Sequence, residues 1–325
     1  MIINQNTHLR SNNLALEKRS GSNILPKQDY GKTSPCLKSQ DTLQLSFKGG
    51  RFIEESAIEK LAQNFSEKLV DLVKQDKKLN LSYAQNIANV ILLRATSDNK
   101  DAQIKIFDKS KLKRSDFSSI YDYEAYRNGS AAAITWRNHS LGKSKICIAV
   151  DPGNEKRAID CLSHEFTHAL QNNTEKMHKT ENLAGKLNRF LFDNNYDQKF
   201  IDFENSMYFD FWHKKLCNEP VIESCLKDLH DKKYPNFREF LKSTPAISQE
   251  TKEKYNDLLK DLDKLTYKKP YVRELFIRRA QMEAQAYKAG FDTIRKYENN
   301  DKLTTSDIIP LLYEDIVDYM KSRQK

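Results

Sequence analysis

His164-Glu165-Phe166-Thr167-His168 is the stretch on which the reading of this chain turns. On a helix, positions i and i+4 stand on one face. The two imidazoles therefore point the same way and can share one metal ion. Glu165, one residue along, is placed to hold a water as general base. A hydrolytic zinc site takes three protein ligands and keeps a fourth position open, so the pentapeptide supplies two of the three.

The flanking sequence predicts the helix that this argument needs. Asp151-Pro152-Gly153-Asn154 is a turn followed by a capping residue, with acidic Glu155 in the first turn. Ala158, Ile159, Leu162, Phe166, Ala169 and Leu170 recur at helical spacing, and Asn172-Asn173 is a stop. The result is a helix of about four or five turns with both histidines in its C-terminal half. Ahead of it, residues 130–136 and 145–150 read as short strands joined by a loop over 137–144, which contains Asn138, Ser140 and Gly142.

The third ligand must come from elsewhere. His178, His213 and His230 are available, as are many carboxylates. Cys161, one turn before His164, is either a ligand or a buried small apolar residue. The segment Arg278-Arg279-Ala280-Gln281-Met282-Glu283-Ala284-Gln285-Ala286-Tyr287 follows Pro270, a good first-turn residue, and is rich in helix formers up to Gly290. Glu283 has Ala280 and Ala286 one turn away and Ala284 beside it. Such small neighbours let its helix approach the motif helix closely enough for a carboxylate to reach the metal.

His164-Glu165-x-x-His168 with a downstream Glu283-x-x-Ala286 resembles the pattern of the gluzincins, zincin metallopeptidases with two histidines and one glutamate as ligands. The resemblance covers these two short motifs. The longer metzincin pattern is not met, because Gln171 and Thr174 stand where it has glycine and histidine. The resemblance implies an α+β, zincin-like fold: a small, mostly antiparallel sheet beside the H-E-x-x-H helix, then a predominantly helical C-terminal lobe. It implies a zinc ion on His164, His168 and Glu283, and zinc-dependent hydrolysis of peptide bonds with Glu165 as general base. Tyr287, one turn after Glu283, is the first choice to stabilise the oxyanion, ahead of Arg279 and His213. Residues 131–136 would be the edge strand on which an extended peptide pairs. The alternative is a non-enzymatic helical interaction or effector protein with a structural or inactive zincin site.

Composition bounds the rest. Three-tenths of the 325 residues are charged, the net charge is +9, and 38% are hydrophobic. No run of about eighteen apolar residues exists, so no membrane span is expected. The lysines and arginines are interleaved with acids, as in Lys252-Glu253-Lys254 and Lys260-Asp261-Leu262-Asp263-Lys264. They read as solvated helix faces, so the expected partner is a peptide or protein substrate and not nucleic acid. Five scattered cysteines with no C-x-x-C pair indicate free thiols in a reduced compartment. The start of the chain lacks the pattern of a secretory signal, which leaves a cytoplasmic protein or one exported without a cleaved signal.

Residues 1–48 carry no sustained periodicity and are expected to be a disordered tail or leader ahead of a domain over 49–325. Within that domain helices are expected over 52–77, 83–95, 183–192, 199–216, 220–230, 248–265, 271–289 and 305–321, with a strand over 102–108. A helical insertion over about 180–266 lies between the two parts of the site.

Overall fold

Ile58, Leu61, Phe65, Leu69 and Val73 recur on one stripe, and all five are buried on helix α1 (Ile58–Asp76). The computed structural model describes residues 52–76, 78–96, 103–117, 123, 133–138, 145–175 and 196–323. The expected tail over 1–48 and helix over 183–192 lie outside them. Helix α2 (Leu81–Ala95) starts where the Asn80 side chain accepts from the amides of Ser82 and Tyr83. Strands β1 (Ile104–Asp108), β2 (Ala133–Asn138) and β3 (Lys145–Val150) follow, and then α3 (Glu155–Gln171), the helix of the H-E-x-x-H motif.

The remainder is helical. It comprises α4 (Tyr196–Asn205), α5 (Ile222–His230), α6 (Phe237–Ser243), α7 (Gln249–Thr266), α8 (Pro270–Glu298) and α9 (Ile308–Ser322). The predicted helix over 199–216 is therefore broken: α4 passes into a π-helical stretch, Ser206–His213, and then a short 3-10 turn. Helix α6 carries no long apolar period and was not expected.

The sheet differs from the expectation of a mostly antiparallel one. Its order is β1-β3-β2: β2 pairs antiparallel to β3, but β1 pairs parallel to it, with Ile104 opposite Ile146 and Ile106 opposite Ile148. Alternation of apolar residues marks a strand but carries no direction. Direction is set by the return path, and the long connection from β1 to β3 has the length that a parallel crossover needs. The central strand is buried on both faces. Ile146, Ile148 and Val150 pack with Ile104 and Ile106 against α1, α2 and α3, while Cys147 and Ala149 pack against Phe117. The outer edge of β1 is covered by α2: Asn89 exchanges hydrogen bonds with the backbone of Ile104, and Gln85 accepts from Ile106. Among the described residues β2 pairs on one side only, with β3.

Helix α3 runs through the middle. Asn154 caps it by accepting from the Arg157 amide at 3.1 Å. The Glu155 carboxylate accepts from the Leu79 amide at 3.0 Å and the Tyr297 hydroxyl at 2.6 Å, fastening the start of α3 to the start of α2 and the end of α8. Nearly every residue from Ala158 to Gln171 is buried, with Phe166 stacked on Phe65 at 4.1 Å. On the other side of the molecule α4 to α9 enclose a second core around Phe211, Phe240, Tyr255, Phe276, Leu312 and Ile316.

Helix α8 joins the two cores and continues past the expected end at 289. The reason is Gly290. A Cβ at that position would collide with the Asp160 carboxylate and stand 3.2 Å from the Asp160 backbone oxygen. The glycine is there for close approach to α3, not for termination, and the helix ends instead at left-handed Asn299. In an open helix interior Gly→Ala is stabilising by about 0.5–1 kcal/mol. Here Gly290→Ala should destabilise by about 1–3 kcal/mol through overpacking, as read from urea denaturation. An increase in stability would show that α3 and α8 have room between them.

Candidate metal centre

The spacing of His164 and His168 on α3 sets their rings 4.7 Å apart, centroid to centroid, with the two Nε2 atoms 2.9 Å from each other. Glu283 arrives from α8 and offers one oxygen to each ring: Oε2 is 3.5 Å from His164 Nε2 and Oε1 is 3.4 Å from His168 Nε2. The three ligand atoms all lie within 4.8 Å of one another. Zinc bonds of about 2.0–2.2 Å place neighbouring tetrahedral ligands about 3.3 Å apart, which these separations approximate. Two imidazoles and a carboxylate also suit a borderline-soft divalent ion. His164, His168 and Glu283 form a buried cluster that can hold a metal ion.

The electrostatics fit a preformed anionic ligand. Burial alone would raise the Glu283 carboxyl, but the His168 charge and hydrogen bonds from both rings override it and hold it well below the usual carboxylate range. Burial would likewise depress His168. The Glu283 charge reverses that, and the ring is raised to about 9. Gln171, the last residue of α3, stands 2.8 Å from His168 Nδ1 and donates to the Met282 carbonyl and to Gln285.

Glu165 is fully buried beside the ligands, and its charge contributes to raising His168. Tyr287 lies edge-on to the His164 ring at 4.6 Å and stacks on Tyr313 at 5.8 Å. Burial pushes its hydroxyl up, followed by the charges of Glu283 and Glu204, so it stays a hydrogen-bond donor throughout the neutral range. Arg279 packs over Phe200 at 5.5 Å, one turn from Glu283.

Other candidates are not brought to the cluster. His213 is exposed, beside Trp212, and His230 is exposed, 3.6 Å from Asp231. His178 lies outside the described residues. Cys161 belongs to the core that α3 shares with α1 and the sheet, and burial pushes its thiol up, as befits a small apolar residue.

Two neighbours had no signal in the sequence, and a third had only an indirect one. Glu204 on α4 accepts from the Tyr313 hydroxyl at 2.7 Å, and its carboxyl is pushed well above the usual range by burial and then by Glu283. Asp160, one turn before His164, is raised to about 6 by burial, against the opposing charges of His164 and Arg157. Gln171 was visible only as a departure from the metzincin pattern. Nothing short of the fold shows that these side chains converge.

A comparison of the chain with known protein families, with curated proteins and with solved structures finds no match.

Metal and proton compete for His168. The ring holds a proton up to about pH 9 in the metal-free protein, whereas a metal ion needs it neutral. Zinc affinity should therefore weaken as pH falls below about 9, and binding near pH 7.5 should release about one proton. Calorimetry in buffers of different ionisation enthalpy counts it. In Glu283→Gln, which removes the charge that raises His168, both zinc affinity and proton release should drop. Full affinity in that variant would remove Glu283 from the ligand set.

Proposed function

We propose that this chain is a zinc-dependent peptidase of zincin type. The observation that carries the reading is the His164, His168 and Glu283 cluster with a second, buried carboxylate, Glu165, beside it on the motif helix. When bound, zinc supplies Lewis acidity toward a carbonyl and toward water. His164, His168 and Glu283 hold the ion. Glu165 takes the proton of the attacking water and returns it to the nitrogen of the leaving amine. Tyr287, kept protonated by burial and by the charge of Glu283, donates to the developing oxyanion. The side of β2 that pairs with no described strand would offer an extended peptide a backbone partner in the strand that precedes β3 and α3.

A second reading has an observation of its own. His164, His168 and Glu165 are all nearly inaccessible, at 2%, 1% and 0% exposure, which is the environment of a structural metal in a non-enzymatic interaction protein.

The two readings part at Glu165. Under the peptidase reading, Glu165→Gln keeps its zinc and its fold. It loses peptide cleavage by about 10²–10⁴-fold or more, the usual contribution of a general base. Cleavage of a peptide library, its loss with a chelator, and zinc content of wild type and variant are the measurements. Chelator-sensitive cleavage that survives in Glu165→Gln would sink the mechanism. Zinc binding without cleavage in the wild type would favour the structural reading.

A further inference from the structure

Gln171 is 3% exposed, and a buried carboxamide must satisfy all of its polar atoms. It does so in a way that fixes its orientation. Its Nε2 lies 3.1 Å from the Met282 carbonyl oxygen, an atom that can only accept, and 2.9 Å from Gln285 Oε1. The NH₂ group therefore faces α8 and the amide oxygen faces α3. That oxygen is 2.8 Å from His168 Nδ1, so Nδ1 must carry the hydrogen. In the neutral ring the lone pair is then on Nε2, the atom that faces His164 and Glu283.

We propose that Gln171 is a positioning residue of the metal centre, which sets the His168 tautomer and ties that ring to the backbone next to Glu283. The inference rests on the metal-centre reading above and deepens it. Both halves follow from one side chain. The oxygen orients a ligand from α3, and the amide nitrogen holds Met282, the residue preceding the ligand from α8. Ligand histidines gain affinity when their second nitrogen is held in this way. Asparagine would be one methylene too short to span the gap. Glutamate would keep the bond to His168 but set a carboxylate against the Met282 carbonyl.

The test uses the full chain, titrated with zinc and with cobalt, together with long-range ¹H–¹⁵N spectra of the histidines in the zinc-loaded protein. The wild type should take up one equivalent, with His168 protonated on Nδ1 and that proton slow to exchange. Gln171→Leu should bind zinc about 10–100-fold more weakly, with displaced cobalt absorption bands and a fast-exchanging Nδ1 proton. Where the leucine variant does not fold, Gln171→Glu serves: it should keep the slow Nδ1 proton and still lose zinc affinity. Unchanged affinity and cobalt spectrum in both variants overturn the inference, as does a wild-type His168 protonated on Nε2. A wild type that takes up no metal overturns the metal-centre reading itself, and this inference with it.

Discussion

The close approach of α3 and α8 is the constraint on which the rest of the molecule depends. Among the described residues it is the most extensive helix pair. Small side chains make it possible: Ala280 and Ala284 are buried on α8, Ala286 is fully buried, and Gly290 lies against Asp160. Without that proximity the Glu283 carboxylate cannot span to two rings on another helix. Because α3 is also the central helix of the sheet-bearing core, and α8 a wall of the helical one, the site sits at the seam between them. Its ligands inherit the rigidity of both cores.

Much of this was legible in the sequence, for reasons that can be named. The motif helix is bracketed by turn and capping residues on one side and two asparagines on the other, and both act as read. Asn154 caps the start, and Asn173 donates to the Ala169 carbonyl at the end. Glu283 stood out because three alanines surround it, and the structure brings it to the two histidines. What could not be read depends on contacts between distant elements. Strand direction is a property of the return path. Gly290 looks like a helix end until the helix it faces is known. Glu204 and Asp160 are ordinary surface residue types whose burial has no local signature. The π-helical stretch Ser206–His213 has the same apolar spacing as an α-helix. It packs Met207 and Phe211 into the lobe core and anchors Trp212 to the Thr305 carbonyl at 3.1 Å.

The charged surface behaves as its interleaving suggested. Lys260 pairs with Asp257 and Lys264 with Asp261 along α7, and Lys214 with Asp210, all on exposed faces. Such exposed pairs each contribute little and weaken with salt. A buried exception is Asp315, held between the Arg238 guanidinium at 3.0 Å and the Tyr255 hydroxyl at 2.6 Å. It joins α6, α7 and α9 at a point where an uncompensated charge would be costly.

Gln171 and Met282 meet across a sequence separation of 111. Everything that brings His168 to Glu283 is therefore non-local, and closing so long a loop must precede any contact at the centre. Neither the sheet-bearing part nor the helical part holds a complete ligand set. An ion shared between them would act as a cross-link that forms only when both parts are folded and together. Metal held at this cluster would tie the sheet-bearing core to the helical one, and its loss would loosen that join.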